Sequence, residues 1–481
     1  MLKKIFLFLL VAILLVVAVV LFNTFRFSSI QTKVEAVAAP AVSDQSLHRF
    51  QQAISFKTIS YANAALFDST QFLAFHKFLE TAYPTLHQKL TREVVAGYSL
   101  LYTWQGKDAA LKPIVLMAHQ DVVPIEEPTK AMWTVEPFAG TVKDNFIWGR
   151  GTTDDKINLI AICESVEKLA KEGFQPERTV YLAFGHDEEI GGKGAIAIAQ
   201  LMKQRNIVAE MVMDEGGIIT KEKIPGMKEP VALLGTSEKG YLSIELTVEI
   251  PGGHSSMPEK ETAIDILTKA IVNLRSHPFE PAFTLPMQGF IKSIGPELPF
   301  VQRMAFANPW LFKGLIIGTY EKSGAGSAML RTTIVPTIIN AGIKDNVIPT
   351  QAKATVNFRL LPGDLSAAVM ERVKNVIADE RMKITMYEGT FAEASAVTPM
   401  EGYGYQKIES IIKKSYPNLL TSPFLMLGAT DSRHFGEISN NIVKFSPMVD
   451  PIGFHGIDER VSLESYQTSL WFFEQLLRDL K

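Results

Sequence analysis

The sequence predicts an α/β protein with a mostly parallel sheet covered by helices, an inserted α+β lid domain and an N-terminal membrane helix. Short apolar runs at 113–118 and 179–184 alternate with helical patterns such as 156–172, which is typical of parallel strands joined by helices. Segments 244–250 and 352–360 instead alternate apolar and polar residues, as strands with one solvated face do. The chain also opens with a long apolar run.

The N-terminal apolar run extends from Ile5 to Phe22 and follows Lys3 and Lys4. It reaches the ~18 residues that favour a spanning helix and exceeds the ~7–15 apolar residues of a signal peptide. A small-x-small pattern at 36–38 lies well beyond the run, whereas cleavage sites follow the apolar core closely. We therefore predict an uncleaved signal-anchor at 1–27, with a cleaved signal and secretion as the alternative. The two lysines would stay cytoplasmic, which places the remaining chain on the extracytoplasmic side.

The rest of the chain divides into four predicted segments. Residues 28–44 are a short tether, and 45–241 form the first part of the α/β domain. Residues 242–362, where the alternating strands lie, form the inserted lid. Residues 363–481 return to the α/β domain as its second part, beginning with a helix around 365–378.

Composition excludes several classes of protein. The 481 residues allow two or three domains, and the net charge of −3 provides no basic surface for nucleic acid. The single cysteine, Cys163, excludes an intramolecular disulfide framework and a Cys-rich zinc site. A metal in this protein must therefore be held by histidines and carboxylates.

Histidines and carboxylates are concentrated where the predicted strands end, and these ends meet at one edge of a parallel sheet. Carboxylates packed together repel one another, and divalent cations remove that conflict. A dispersed set of this kind suits a catalytic pair of metals with an open position for water. The residues concerned are His119, Asp121, Asp154, Asp155, Glu188, Glu189, Asp214, Glu215 and His455.

An ordered set of motifs resembles the aminoacylase and carboxypeptidase S family of co-catalytic zinc peptidases, in particular carboxypeptidase S and the N-fatty-acyl-amino acid synthase/hydrolases. The resemblance extends from about residue 45 to the end and implies the zinc-exopeptidase fold with its lid. Its motifs are His119-x-Asp121-Val-Val-Pro, Gly149-Arg-Gly-x-x-Asp154-Asp-Lys, Gly185-His-Asp-Glu188-Glu189, Gly253-His254-Ser-Ser, Asn357-Phe-Arg359-Leu-Leu-Pro-Gly, Gly428-Ala-Thr-Asp431-Ser-Arg-His434 and His455-Gly-x-Asp-Glu-Arg.

The resemblance implies two zinc ions per active site, with cobalt or manganese as substitutes. Asp154 would bridge the two ions. His119 and one carboxylate of the Asp214-Glu215 pair would complete one ion, and we expect Asp214 in that role. Glu189 and His455 would complete the other. The implied metal ligands are therefore His119, Asp154, Glu189, Asp214 and His455.

The same resemblance assigns the remaining roles. Glu188 would be the general base and then the general acid, and Asp121 would orient His119 through its second ring nitrogen. His254 in the lid would help to bind the oxyanion. Arg359 would hold the carboxylate of the substrate, and Asn346 would assist near the carbonyl. Surface or turn positions are the alternative interpretation of His254, Arg359 and Asn346.

The expected function is hydrolysis of an amide bond beside a free carboxylate, by attack of metal-bound hydroxide with Glu188 as base. The substrate would be a small peptide or an N-acyl amino acid, and a homodimer through the lid is a further implied partner. Aromatic residues of the lid are expected to line an acyl pocket or to form lid core. The alternative function is a zinc-dependent binding protein for carboxylated ligands without catalysis. The aromatic residues are Phe290, Phe300, Phe306, Trp310 and Phe312.

Overall fold

A computed structural model describes residues 1–480 of the chain. The helices are α1 (Leu2–Arg26), α2 (Asp44–Ser55), α3 (Ser69–Ala82), α4 (Pro84–Lys89), α5 (Glu127–Lys130), α6 (Lys156–Lys171), α7 (Lys193–Gln204), α8 (Ala263–Ser276), α9 (Leu285–Ile294), α10 (Phe300–Ala307), α11 (Pro309–Tyr320), α12 (Gly324–Leu330), α13 (Ser366–Ile377), α14 (Tyr403–Ile412) and α15 (Leu463–Arg478).

The strands follow the same chain order. They are β1 (Thr91–Val95), β2 (Ser99–Trp104), β3 (Ile114–His119), β4 (Thr141–Lys143), β5 (Phe146–Trp148), β6 (Val180–Gly185), β7 (Met211–Asp214), β8 (Ile219–Thr220), β9 (Val231–Glu238), β10 (Gly240–Glu249), β11 (Gly253–His254), β12 (Thr333–Ala341), β13 (Val347–Ile348), β14 (Gln351–Leu360), β15 (Met382–Ala392), β16 (Leu420–Met426), β17 (Ile442–Lys444) and β18 (Arg460–Ser462).

The main sheet has the strand order β1-β2-β6-β3-β7-β17-β9-β16, and β8 pairs with β9 outside this path. Pairings at its centre, between β6, β3, β7 and β17, are parallel, while β1, β2 and β8 pair antiparallel. Successive residues of β3 point to opposite faces of the sheet: Leu116 packs with α6 and α15, whereas Met117 packs with α7. Helices therefore cover both faces, which confirms the predicted fold class.

A second, antiparallel sheet has the order β12-β14-β10-β15. The alternating apolar residues of β10 and β14, such as Ile244 and Val356, form one core with α8. The separate lid sheet is thus confirmed.

The second sheet continues beyond the end predicted for the lid at residue 362. Val369 and Val373 of α13 pack into its core, and β15 pairs with β10 up to Ala392. We therefore propose that the lid ends at about 392 and that α13 belongs to it. The sequence pattern of α13 indicates an amphipathic helix but carries no information about which sheet it covers.

Helices α9 to α12 lie within the segment 242–362 predicted as the lid, but they do not join the lid core. Phe290, Ile294 and Leu298 pack with Val231 of β9 and Leu420 of β16, at the edge of the main sheet. The C-terminal end of the N-terminal helix α1 packs against these helices. Val20 and Thr24 of α1 are buried, whereas most of the helix is exposed. Within residues 1–480, α1 is the helix long and apolar enough to cross a membrane.

Candidate metal centre

The candidate site lies at the carboxyl edge of the main sheet. Strand β3 is parallel to β6 and β7, so its last residue, His119, lies beside the ends of those two strands. The short turn Glu188–Ile190 follows β6, and Glu215 follows β7 directly. Asp154 enters from the loop before α6, and His455 enters from the loop before β18. The parallel topology therefore assembles residues that are far apart in the chain.

Asp154 lies between two histidines. Its Oδ1 is 2.8 Å from His119 Nε2, and its Oδ2 is 2.6 Å from His455 Nε2. Burial would raise the pKa of Asp154, but hydrogen bonds with both histidines outweigh burial and hold this pKa well below its usual value. The same contacts with Asp154 and Glu189 raise the pKa of His455 to about 10. Each oxygen of one carboxylate thus faces its own histidine, as in a bridging metal ligand.

Two further carboxylates complete the two halves of this arrangement. Glu215 Oε1 lies 3.3 Å from His119 Nε2, and Glu189 Oε2 lies 3.3 Å from His455 Nε2. His119 also groups with Asp155 and Glu215 in one potential metal site and with Asp154 and Glu189 in another.

The donor set fits divalent metal ions. Burial, followed by the Asp154 and Asp155 charges, raises the pKa of Glu215 well above its usual value. Buried oxygens Oδ2 of Asp155 and Oε1 of Glu189 have no hydrogen-bond partner in the described part of the chain. Unpartnered carboxylate oxygens crowded beside imidazoles are what two cations would satisfy.

Of the pair Asp214 and Glu215, the expected ligand was Asp214, but it is the Glu215 side chain that lies beside His119. Asp214 Oδ1 accepts a hydrogen bond from the Glu215 backbone N–H (3.0 Å), and its Oδ2 accepts one from the Ser432 N–H (2.8 Å). Neighbouring side chains at a strand end point to opposite sides, so only one of the pair can face His119. The adjacent letters of the sequence do not indicate which one does.

Asp121 lies behind His119, where sequence analysis expected it. His119 Nδ1 is 3.0 Å from the Asp121 carbonyl oxygen and 3.3 Å from its Oδ1, which leaves Nε2 directed at Asp154. The Asp121 carboxylate also accepts hydrogen bonds from the backbone N–H groups of Glu188 (3.1 Å) and Glu189 (3.2 Å). A single buried carboxylate thereby orients both a histidine and the turn that carries two glutamates.

Glu188 lies on the same turn, beside the cluster. Burial and then the Asp431 and Asp154 carboxylates raise its pKa well above the usual value, against an opposing effect of His119. Asp431 is itself buried, and its Oδ2 has no hydrogen-bond partner within the described residues. Sequence analysis quoted Asp431 in a motif without a role. The structure places it where its charge favours the protonated form of Glu188.

Sequence analysis assigned no role to the buried pair Arg150 and Glu459. Glu459 forms an ion pair with Arg150 and accepts hydrogen bonds from the backbone N–H groups of Gly151 (3.0 Å) and Thr153 (2.9 Å). Arg150 Nη2 donates to the His455 carbonyl oxygen at 3.2 Å. This pair joins the Asp154 loop to the His455 loop. The sequence does show an arginine in one motif and a glutamate in the other. Their spacing along the chain does not indicate that these two residues form an ion pair.

The predicted lid residues lie in a different part of the molecule. His254 is exposed in β11, which pairs with β13, and the Ser255 N–H donates to the Asn346 carbonyl oxygen at 3.2 Å. Arg359 stacks on the Tyr241 ring, 4.6 Å from its centroid. Within residues 1–480, no hydrogen bond or ion pair joins His254, Asn346 or Arg359 to the metal-ligand cluster.

Comparisons with known proteins agree with this geometry. Residues 115–479 match the model of peptidase family M20/M25/M40. The chain is 40% identical to probable carboxypeptidase S-like 2 of Dictyostelium discoideum, over 98% of this chain and 92% of that protein. It is 36% identical to N-fatty-acyl-amino acid synthase/hydrolase PM20D1 of Homo sapiens, over 89% of this chain and 86% of that protein.

A solved structure shares the fold. The M20 family metallo-carboxypeptidase Sso-CP2 from Sulfolobus solfataricus aligns with a TM-score of 0.66 and 18% identity, covering 91% of this chain and 99% of that chain. The family model covers most of the chain, and the relatives match over nearly its full length. The chain therefore belongs to peptidase family M20/M25/M40 and is a metallohydrolase of the carboxypeptidase or N-acyl-amino acid hydrolase type.

Proposed function

We propose that the protein is a di-zinc hydrolase that cleaves an amide bond adjacent to a free carboxylate. The observation that carries this proposal is Asp154, whose two oxygens each face one histidine. A single-metal enzyme has no need for that arrangement. A zinc-dependent binding protein without catalysis, the alternative function, loses support because the chain belongs to a family of hydrolases and retains Glu188.

The proposed ligands are divided between two ions that share Asp154. His119 and Glu215 would hold one ion, and His455 and Glu189 would hold the other; Glu215 would take the place expected for Asp214. Imidazole nitrogen and carboxylate oxygen suit zinc, with cobalt or manganese as substitutes. Bound there, the metals would polarise the scissile carbonyl and lower the pKa of the attacking water.

Glu188 moves the proton in the proposed mechanism. Its carboxylate takes a proton from the water that attacks the amide carbon and returns it to the nitrogen as the carbon–nitrogen bond breaks. Glu188 and the proposed ligand Glu189 are neighbours on one short turn, which supports a role for Glu188 in moving a proton beside the metals. Asp121 acts as a positioning residue because it holds His119 and the Glu188–Glu189 turn together.

The lid residues are proposed to engage the substrate. His254 would donate to the oxyanion, Asn346 would assist near the carbonyl, and Arg359 would pair with the free carboxylate. His254 and Asn346 are neighbours in the lid, which supports a joint role. None of the three contacts the cluster directly, so each would reach it through the bound substrate or through closure of the lid. A homodimer formed through the lid is the other way to bring a His254 to the substrate.

The two kinds of relative define the choice of substrate: one is named a carboxypeptidase, the other an N-fatty-acyl-amino acid synthase/hydrolase. Of these five aromatic residues, Phe290 and Phe306 line an apolar cavity of about 410 Å³ at the edge of the main sheet rather than in the lid core, whereas Phe300 and Trp310 are exposed. Comparison of kcat/KM for a long-chain N-acyl-phenylalanine and a dipeptide separates the substrates. A strong preference for the dipeptide would contradict the acyl-pocket hypothesis.

The N-terminal helix is proposed to remain as a membrane anchor, with the hydrolase on the extracytoplasmic side. Asn308 is fully buried, and its amide donates to the Val20 carbonyl oxygen (3.1 Å) and to Thr24 Oγ1 (3.3 Å) of α1. Cleavage after α1 would remove these two contacts and leave the Asn308 amide only its bond to the Met304 carbonyl oxygen (2.9 Å) and solvent. The contacts therefore support an anchor over a cleaved signal.

Substitution of the proposed base tests the mechanism. Glu188→Gln is expected to lower kcat by about 10²–10⁴-fold while zinc content stays unchanged. Glu437→Gln is the matched control, since Glu437 is exposed and pairs with Lys203 on the surface. Normal turnover of Glu188→Gln with a full metal complement would show that another group moves the proton.

A further inference from the structure

An exposed apolar surface lies beside the C-terminal end of α1. It is formed by side chains of α1, α10 and α11, and we call it the α10–α11 surface. Val301 is 68% exposed, and Trp310 is 58% exposed. The surface consists of Phe25, Phe300, Val301, Trp310, Leu311 and Leu315.

This surface is continuous with the proposed anchor. The rings of Phe25 in α1 and Phe300 in α10 have centroids 6.2 Å apart. Arg303 of α10 donates a hydrogen bond to the Phe27 carbonyl oxygen at 2.6 Å, directly after α1 ends. The apolar side chains of α10 therefore extend the apolar side of α1 without a polar gap between Phe25 and Phe300.

The start of α11 lies level with the end of the apolar run in α1. Asn308, immediately before α11, accepts a hydrogen bond from Asn23 at 2.9 Å and donates to the Val20 carbonyl oxygen. The run from Ile5 to Phe22 is about 27 Å long as a helix, close to the ~30 Å hydrocarbon thickness of a bilayer. If α1 spans the bilayer, Asn23 and Asn308 lie at the membrane–water boundary.

The composition of α11 suits that depth. Between Pro309 and Tyr320 the one charged residue is Lys313, and its Nζ lies 5.8 Å from the centroid of the Phe283 ring. Tryptophan is enriched at membrane interfaces, and Trp310 occupies the first turn of α11. Exposed leucines such as Leu311 cost free energy in water, about 25 cal/mol per Å² of apolar surface, and lose that cost in lipid.

A cavity opens on the same surface. Its volume is about 410 Å³, and its walls include Phe290, Phe306 and Ile316. Val301 and Leu315 both line the cavity and contribute to the exposed surface. Apolar walls offer water few hydrogen bonds, whereas they can pack against an aliphatic chain.

We propose that the α10–α11 surface inserts into the lipid leaflet that surrounds the C-terminal end of α1. The partner is a bilayer, contacted through its acyl chains at the interface. The inference rests on the proposed retention of α1 as an anchor. It adds that the folded domain lies on the membrane rather than hanging from a free tether.

Tryptophan fluorescence tests this contact in the full chain. Trp310 is exposed, whereas the other four of the five tryptophans, Trp104, Trp133, Trp148 and Trp471, are buried. The protein is reconstituted into phosphatidylcholine vesicles with plain or brominated acyl chains. Brominated lipid is expected to quench about one fifth of the emission, the share of one tryptophan in five. Trp310→Phe is expected to abolish the quenching.

A second variant excludes quenching from elsewhere. Trp310→Phe/Ile343→Trp restores an exposed tryptophan in the loop after β12 of the lid, where Ile343 is 97% exposed. It is expected to show no quenching. Vesicle flotation checks the anchor separately: a chain that floats but shows equal quenching with and without Trp310 overturns the docking alone. A chain that does not float overturns the anchor and the docking together.

Discussion

The metal centre and the lid site differ in how completely one chain builds them. His119, Asp154 and Asp121 are buried at the ends of packed strands and loops and already contact one another. His254 is exposed in the two-stranded sheet of β11 and β13, and Asn346 is exposed in the turn before β13; their hydrogen bonds remain within the lid. The first region is already assembled in the described chain, whereas the role proposed for the second depends on contacts that the described chain does not make.

Because of this difference, substitutions in the two regions should lower activity in different ways. A substitution in the metal centre removes an ion or a proton carrier that every substrate needs. A substitution in the lid removes an interaction made only when the lid covers the substrate. Metal content and turnover should therefore fall together in the first region and separate in the second.

The largest effect is expected for Asp154→Asn. The change weakens both proposed ions at once, so kcat should fall by at least about 10³-fold, equivalent to ~4 kcal/mol of transition-state stabilisation. Zinc content, measured by mass spectrometry of dialysed protein, should fall with it. A variant that keeps both ions and full activity would remove the bridging role from Asp154.

The next effect compares two neighbouring carboxylates at the end of β7, Asp214 in the strand and Glu215 directly after it. Glu215→Gln should weaken zinc binding by more than about 100-fold, because outer-shell substitutions already cost ~10–100-fold and Glu215 is a proposed direct ligand. Asp214→Asn, the matched control, should cost less, since the carboxylate of Asp214 accepts hydrogen bonds from the backbone N–H groups of Glu215 and Ser432 and from the side chain of Thr430. Competition with a chromophoric chelator measures both. The reverse order would restore Asp214 as the ligand.

A smaller effect is expected in the lid. His254→Ala should lower kcat by about 10²-fold with no loss of zinc, because it removes an oxyanion donor and no ligand. His277→Ala is the control, since His277 is also an exposed lid histidine and lies beyond α8. A parallel loss of zinc in His254→Ala would place His254 in the metal centre instead. Unchanged turnover would show that His254 is a surface residue of the lid without a role in catalysis.

The smallest effect is expected for Arg359→Lys. Loss of the bidentate fork should raise KM for carboxylate-bearing substrates by about tenfold, leaving kcat and zinc content nearly unchanged. Arg372→Lys is the control, because Arg372 stacks on Phe279 in the lid as Arg359 stacks on Tyr241. The corresponding amide substrate, which lacks the carboxylate, should show no such difference. An equal KM change for the amide would contradict the carboxylate role.

The sequence predicts the two sheets well because their patterns are local. A continuous apolar run such as β3 indicates a strand that is buried on both faces. An alternating pattern such as that of β10 indicates a strand that is buried on one face. It does not predict that α13 covers the lid sheet, since an amphipathic helix fits either sheet. The helices from α9 to α12 were also unassigned, because their apolar partners, Val231 and Leu420, lie far away in the chain.

The candidate site divides in the same way. Motifs locate His119, Asp154 and Glu188 because each follows a strand or opens a helix. The choice between Asp214 and Glu215 depends on side-chain direction, which adjacent letters do not contain. The Arg150–Glu459 ion pair depends on a contact between two distant loops. The spacing of the motifs predicts which residues lie at the same edge of the sheet. Which atoms contact one another depends on how the side chains and loops pack.

The most direct test of the account is a crystal structure of the protein with zinc, read by anomalous scattering at the zinc edge. A di-zinc centre that shares Asp154 should give two peaks, ~3.5–4 Å apart, with one Asp154 oxygen at each. His119 and Glu215 should complete one peak, and His455 and Glu189 the other. A single peak, or two peaks that do not share Asp154, would contradict the proposed metal centre.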